Sequence, residues 1–428
     1  MLVRQRLFLP IDDEQARLVL LPQRLLGDQF RRQIVFKVLD CQLRRLSFHG
    51  HLFYTCLDVL GQNGAISLQL KETIVEIGRE LGFHNIVIGG LEPMTAAGEV
   101  YEDWLDKGYA ASMDYLKRDP AGRVSPAQVL SGSRSVIISS VSYYSEPSSP
   151  PPAVAGRVAR YAVGLDYHPT IRARLRDFAG RIEKEIGRPF LRKPYTDDVA
   201  LFEQALAARH GLGFVGKNSL ILGPQLSGSY NFIAELFTDL ELEPDRPYVG
   251  TCGKCFRCGQ GCPTDAIKDG ALVDSNRCIS FLTIENKDGI DPALRPLLGD
   301  WVFGCDICQE VCPYNSKPTL TPWPEFLPEA GVGHHLDLLD LISIDSDIEF
   351  RRRFEKSPVR RPKRRGLTRN ALVVLGNHLA AGHAEGDRII QALKKFSRRQ
   401  FDRNTDMDTK TGIDTMLAEH ADWALAQA

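Results

Sequence analysis

The run Cys252-Gly253-Lys254-Cys255-Phe256-Arg257-Cys258-Gly259-Gln260-Gly261-Cys262-Pro263 constrains this chain more than any other stretch. Its spacing is C-x2-C-x2-C-x3-C-P, in which three thiolates hold one iron–sulfur cluster and the fourth reaches across to a second. Such a run demands a second half. Cys305-Asp306-Ile307-Cys308 and Cys312-Pro313 repeat its close, and Cys278 is the remaining ligand nearby. The spacing therefore assigns Cys252, Cys255, Cys258 and Cys312 to one 4Fe–4S cluster. Cys262, Cys278, Cys305 and Cys308 go to the other. Two structural zinc sites are the plain alternative, because C-x2-C pairs also suit tetrahedral zinc. Zinc, however, has no use for a further Cys three residues on and followed by Pro. Disulfides are the weakest reading, since thiols at this spacing in a chain without an export signal are metal ligands of a reducing compartment.

With 428 residues the chain has room for two or three domains. Its formal net charge of −1 excludes a globally basic nucleic-acid binder, so any contact with RNA must be local. No apolar run approaches the length that spans a bilayer. The start, MLVRQRLFLPIDDEQ, lacks the small-residue cleavage site of an export signal, and a cytoplasmic location is expected.

Residues 1–65 differ in texture from the rest: short apolar runs, many Arg, and Cys41 and Cys56 at no metal spacing. They read as an accessory helical extension or as translated sequence upstream of the true start, the second being preferred. From Ser67 the pattern becomes regular. SLQLKETIVEIGRELGF has helical spacing and closes on Gly82, and HNIVIGG follows as a strand. YEDWLDKGYAASMDYLK reads as one amphipathic helix, and SVIISSVSYY as a buried strand. A long helix is expected over Pro169 to Ile186, and a shorter one over Phe202 to His210 that stops at Gly211-Leu212-Gly213. NSLILGPQLSGSYNFIAELFTDLEL reads as a strand pair around a Gly/Ser turn. Residues 325–428 read as all helical, with RRGLTRNALVVLGNHLAAG and AEHADWALAQA as arms of HEAT-type pairs. Between them falls a basic run from Arg351 to Arg369.

Seven pieces occur in one order over roughly residues 67–428: GRVSPAQVL, ARYAVGLDYH, TDDVALFEQALAARHGLGFVGKN, CGKCFRCGQGCPTDAI, CISFLTIE, GCDICQEVCPYN and RRGLTRNALVVLGN. Together they resemble the epoxyqueuosine reductase family, cobalamin-dependent iron–sulfur enzymes that complete queuosine in tRNA. The resemblance implies an α+β chain in three parts after the extension. These are a cobalamin-binding α/β domain (66–245), a dicluster bacterial ferredoxin-like domain (246–320) and a helical HEAT-like region that contacts tRNA (321–428).

By the same resemblance the chain reduces the epoxide of epoxyqueuosine to the alkene of queuosine. Electrons would come from an external donor through two 4Fe–4S clusters. The family's proton donor is the aspartate of a V-D-T-type motif, which Asp197 of Thr196-Asp197-Asp198 matches. This sequence departs there, with Thr196 for Val and a second carboxylate at Asp198, which is expected to cap the following helix. Burial is expected to raise the Asp197 pKa toward working pH. Asp166, the rival donor, reads as a helix cap paired with His168.

For the corrinoid, the resemblance points to Arg123, Ala159, Asp197, Lys217, Ile221, Ile233, Ser280, Asp306 and Ile307. For tRNA it points to Thr283, Glu285 and Asn286, with Arg360, Arg361, Arg364 and Arg365 as the basic footprint. The chain is expected to act as a monomer, away from membranes. The alternatives are a dicluster ferredoxin-type electron carrier, which needs no domain ahead of its cysteines, and a corrinoid reductive dehalogenase, against which the TDD and RRGLTRNALVVLGN segments stand.

Overall fold

Ser135–Ser142 is buried at every position, and the first half of the fold is built around it. The computed structural model describes residues 69–223, 226, 228–268, 272–405 and 414–428. The N-terminal extension expected over residues 1–65, with Cys41 and Cys56, lies outside the described residues. The elements that matter here are α1 (residues 69–80), β1 (Asn85–Gly89), α2 (Thr95–Asp106), β2 (Ser135–Ser142) and β3 (Ala155–Val158). After them come α3 (Tyr167–Ile186), β4 (Arg192–Tyr195), α4 (Glu203–Arg209), β5 (Phe214–Val215), β6 (Ile221–Leu222) and β7 (Asn231–Thr238).

Strands β1, β2, β7 and β4 form one antiparallel sheet in that order. Alternate residues of β2 feed two cores. Ile137 and Val141 pack with Phe178 and Ile171 of α3, while Val136 and Ile138 pack with Leu206 of α4 and Ile221. A strand covered on both faces reads as a continuous apolar run, which is why SVIISSVSYY is legible as a strand. The expected strand pair over residues 218–242 does not form. β6 pairs with β5, and β7 pairs with β2 and β4, so the two strands belong to different sheets. The expected helix over residues 101–117 stops at Asp106. Gly108 (φ 70°) and Ala111 (φ 51°) then turn the chain through left-handed conformations.

The cysteine-bearing part contains α5 (Arg257–Gly261), the short pair β8 (Ile267–Lys268) and β9 (Leu272–Val273), α6 (Ile279–Ile284), β10 (Trp301–Phe303) and α7 (Ile307–Glu310). The C-terminal part has β11 (His335–Asp337), α8 (Leu338–Ser343), α9 (Asp347–Phe354), α10 (Lys363–Ala380), α11 (Gly386–Thr405) and α12 (Thr415–Leu425). It is not all helical, because β11 joins β3 and β10 in a second sheet. β10 lies parallel to β3, and β11 antiparallel. That sheet takes one strand from each of the three segments separated in sequence.

Helix α10 is buried along most of its length and packs with α8, α11 and α12 in one core. Burial of side chains such as Leu372 and Leu375 stabilises it by roughly 1.5–3 kcal/mol each. A Cβ at Gly376 would stand 2.5 Å from the Trp423 ring and 3.0 Å from the Ala424 backbone, so this glycine sets the approach of α12.

Arg369, the end of the basic run, is 0% exposed. Its guanidinium donates to the carbonyls of Leu282 (2.6 Å), Asn286 (2.9 Å) and Asp288 (2.5 Å). Asn370 donates to the carbonyls of Thr283 (2.7 Å) and Val302 (2.9 Å). These two side chains hold the segment after Cys278 against α10. Arg369→Ala is expected to cost about 3–5 kcal/mol in chemical denaturation, because several buried carbonyls lose their donor. Arg351→Ala, at an exposed site, is expected to stay within about 0.5 kcal/mol.

Candidate active site

The fold gathers the eight cysteines into two neighbouring groups, and none is in a disulfide. Electrostatic neighbours sort them. Cys312 is acted on by the charges of Cys252 and Cys255, and Cys258 by those of Cys252 and Cys312. Cys305 is acted on by Cys278 and Cys262, and Cys308 by Cys305 and Cys278. These are the two sets expected from spacing. Burial pushes the thiols of Cys258, Cys278, Cys305, Cys308 and Cys312 up. Thiolates in such a place need a cation to hold their charge, which suits iron.

Asp306, between two of these cysteines, is 1% exposed. It accepts from the backbone N–H of Arg160 (2.7 Å) and from Gln309 Nε2 (2.8 Å), and burial pushes its carboxyl up to about 6. Arg160 sits over the Tyr144 ring at 4.6 Å and donates to Ser145 O at 2.6 Å. Ala159 is buried, with its N–H on Phe303 O at 2.8 Å.

Beside the second set lies a cavity of about 1050 Å³. Residues 166–170 at the start of α3, with Tyr161 and Asp197, supply one part of its lining. Cys278, Ser280, Phe281, Ile284 and Glu285 supply a second, and Met113 and Tyr115 enter from the turns that follow α2. Lys356, Pro358, Arg360 and Arg361 supply a third. Ligand pockets usually measure about 300–1,000 Å³, so this one suits a large cofactor. Among the expected corrinoid contacts, Asp197 and Ser280 line it.

Asp197 is exposed and has φ 55°, a left-handed conformation uncommon for a side-chain-bearing residue. Its Oδ2 accepts from the Tyr167 hydroxyl at 2.5 Å, and its backbone N–H donates to Glu203 Oε1 at 2.7 Å. The burial expected of Asp197 is absent; buried carboxyls lie behind it instead. Burial, followed by the charge of Asp197, pushes the Tyr167 and Tyr161 hydroxyls up. Asp198 does not cap α4. It accepts from the Thr196 N–H at 3.1 Å and pairs with Arg172 of α3, while α4 starts without a side-chain cap. Asp166 does cap α3, accepting from the His168 N–H and ring, as expected.

The remaining site residues lie apart from the cavity lining. Lys217 donates to the carbonyls of Gly253 (3.0 Å) and Cys255 (2.9 Å), bracing the first cysteine loop. Arg123 packs near Tyr101, and its Nε is buried without a hydrogen-bond partner. Asn218 Nδ2, next to Lys217, is likewise buried and unpartnered. Such orphaned donors suit an amide-rich ligand. Ile221 is buried in β6, and Ile233 O accepts from the Thr196 hydroxyl at 2.8 Å. Ile307 opens α7.

Of the tRNA set, Thr283 is fully buried and fails as a surface contact, because its hydroxyl binds Ile279 O (2.7 Å) and the Gly304 N–H (2.9 Å). Asn286 Nδ2 donates to Gly289 O. The four arginines face acids: Arg360 with Asp166, Arg361 with Glu285, Arg364 with Asp347 and Arg365 with Asp414.

The family model described as "4Fe-4S double cluster binding domain" matches residues 251–315, and "Epoxyqueuosine reductase QueG, DUF1730" matches residues 123–198. Curated epoxyqueuosine reductases are similar along most of their length. That of Salmonella typhimurium is 36% identical, covering 84% of this chain and 88% of its own. That of Pseudomonas aeruginosa is 37% identical, covering 83% of this chain and 94% of its own. The chain belongs to the epoxyqueuosine reductase family.

The fold agrees. A crystal structure of epoxyqueuosine reductase with an epoxyqueuosine-modified tRNA-Tyr stem loop superposes with TM-score 0.71 at 24% identity, over 84% of this chain and 99% of that one. The Bacillus subtilis epoxyqueuosine reductase gives TM-score 0.69 at 25% identity, over the same shares. Both cysteine runs fall inside the double-cluster match, and Asp166, Tyr167 and Asp197 inside the reductase match. Sequence reading did not single out Tyr167, Tyr161, Glu203 or Glu235. One signal was present: Glu235 is a lone charge in the apolar run Phe232 to Phe237. No helix among the described residues is long and apolar enough to cross a membrane.

Proposed function

We propose that this protein reduces the epoxide of epoxyqueuosine in tRNA to the alkene of queuosine, within the cavity that Asp197 shares with Cys278 and Ser280. That sharing carries the reading, because it brings a proton donor and a cluster ligand to one space inside a family of epoxyqueuosine reductases. Cys252, Cys255, Cys258 and Cys312 hold one 4Fe–4S cluster; Cys262, Cys278, Cys305 and Cys308 hold the other. The clusters relay single electrons from an external donor, at potentials set by burial and hydrogen bonding. Cobalamin, when bound, supplies a strongly reducing metal centre, the hard chemistry being the cofactor's. Arg123, Lys217 and Ser280 hold its periphery with backbone from Ala159, Ile221, Ile233, Asp306 and Ile307.

The epoxide takes up two electrons and two protons, both C–O bonds break, and the alkene and water leave. Asp197 gives a proton to the departing oxygen, and Tyr167 fixes the orientation of its carboxyl through the 2.5 Å hydrogen bond. The α/β part carries the cobalamin, and the HEAT-like helical region carries the RNA. The enzyme acts as a cytoplasmic monomer.

Arg360 and Arg361 meet the RNA. Their side chains are 56% and 60% exposed, and both line the cavity. Exposed ion pairs of the Arg361–Glu285 kind are worth only about 0–1 kcal/mol, so a phosphate can take the place of the carboxylate. Replacing both arginines with Gln is expected to weaken binding of the tRNA anticodon arm and lower the slope of log K against log salt by about 1–2. A filter-binding series over salt concentration checks this, and an unchanged slope would move the RNA elsewhere. The cofactor reading is tested by mixing anaerobic, iron-loaded protein with cobalamin. Corrin absorption should co-elute with the protein; cluster absorption alone would favour an electron carrier.

A further inference from the structure

Two glutamates behind Asp197 have no task in the reduction as derived so far. Glu235 lies on β7, opposite Ile138 of β2 and Tyr195 of β4. It is 0% exposed, and neither carboxyl oxygen has a hydrogen-bond partner among the described residues. Val136, Ile138, Phe237 and Leu206 of α4 form the apolar core on that side of the sheet. An ionised carboxylate has no water or counter-charge there, so the group keeps its proton.

Glu203 is the first residue of α4, and its Oε1 accepts the Asp197 N–H at 2.7 Å. It thereby holds Asp197 in its left-handed conformation. Burial, and after it the charge of Asp197, pushes Glu203 up to about 8. Glu235 is pushed up further, by burial and by Glu203, Asp197 and Asp198. The other polar groups facing this set are few. Lys193 of β4 sits by the Tyr195 ring, Tyr167 of α3 is bound to Asp197, and Arg172 is committed to Asp198. From β2, Ser140 contributes a buried hydroxyl without a partner. Two carboxyls in such a place cannot both ionise at neutral pH.

We propose that Glu203 and Glu235 are positioning residues that store a proton behind Asp197 and return one to its carboxyl after each turnover. The proposal rests on the reading of Asp197 as donor. In each cycle Asp197 loses a proton to the oxygen of the substrate, and Glu203 supplies the replacement. Glu203, half-buried at the head of α4, is refilled from solvent. The second proton of the departing water comes by the same route, and the electrons come from the clusters.

The test uses the reconstituted holoenzyme with Glu203→Gln, Glu235→Gln and Asp197→Ala. Glutamine keeps the shape of glutamate, and its amide oxygen still accepts the Asp197 N–H. Glu203→Gln is expected to lose about tenfold in turnover at pH 8 and little at pH 6, where solvent protons refill Asp197 directly. Glu235→Gln is expected to move the alkaline limb of the pH profile to lower pH. Infrared spectra at pH 7 should show a protonated-carboxyl carbonyl band in the parent protein that weakens in both Gln variants.

Melting temperatures supply a sign. The folded protein holds a proton on Glu203 that the unfolded chain releases near pH 4.5. Stability from this group is therefore full below that pH and falls as pH rises to about 8. Glu203→Gln should lack that fall. A parental pH profile in both Gln variants beside an inactive Asp197→Ala overturns the store and leaves the donor reading standing. Turnover by Asp197→Ala removes the donor reading, and the store with it. Absence of the carbonyl band from the parent protein overturns the store even where a variant fails to fold.

Discussion

Asp197→Ala should lower queuosine formation by about a hundred- to ten-thousand-fold, the range associated with a general acid. The residue is exposed at the cavity and makes no apolar core contact, so its truncation leaves the fold intact. Bound iron and cobalamin should match the parent protein. Melting should shift only slightly, because the main loss is the Tyr167 hydrogen bond, worth about 0.5–1.5 kcal/mol. The check is nucleoside mass spectrometry after single-turnover reaction under strong reductant. Near-parental conversion would remove Asp197 from the chemistry and return attention to Asp166. That alternative has a geometric handicap, since the Asp166 carboxyl is already engaged by the His168 N–H and ring and by Arg360.

Cys308→Ser should abolish turnover altogether. Burial and the neighbouring Cys305 and Cys278 charges disfavour an unpaired thiolate at this position. Iron compensates for that cost in the parent protein, and a serine hydroxyl is a poor substitute ligand for it. Iron content should fall by about half, with one cluster's spectroscopic signal lost and the other kept. Cys255→Ser should remove the complementary signal. Full iron retention by Cys308→Ser would break the assignment of ligands to two separate sets.

These expectations depend on how much of the site the sequence discloses. The cysteine sets are legible because covalent spacing alone decides which thiols can share a cluster. β2 is legible because both of its faces are buried, and α10 because its apolar pattern runs the length of the helix. Pairing is not legible: β6 and β7 stand close in sequence, yet each finds a partner that no local signal marks. The basic run misleads for a related reason. Arg364, Arg365 and Arg369 read as one charged surface, but the fold commits Arg369 to buried carbonyls and the other two to Asp347 and Asp414. Thr283 is misplaced likewise, as a single hydroxyl in CISFLTIE gives no sign of the inward turn that Asn370 and Arg369 fix. The relation between Asp197, Glu203 and Glu235 joins a loop, a helix start and a strand, and becomes visible only once the sheet is assembled.

The account rests on the cavity beside Cys278 being where tRNA-bound epoxide is reduced. The most direct measurement is conversion of epoxyqueuosine in tRNA by anaerobic, iron-loaded protein under strong reductant, with and without added cobalamin. Conversion that requires both iron and cobalamin and is lost with Asp197→Ala is the expected result. No conversion by fully loaded protein, or equal conversion without the corrinoid, would contradict it.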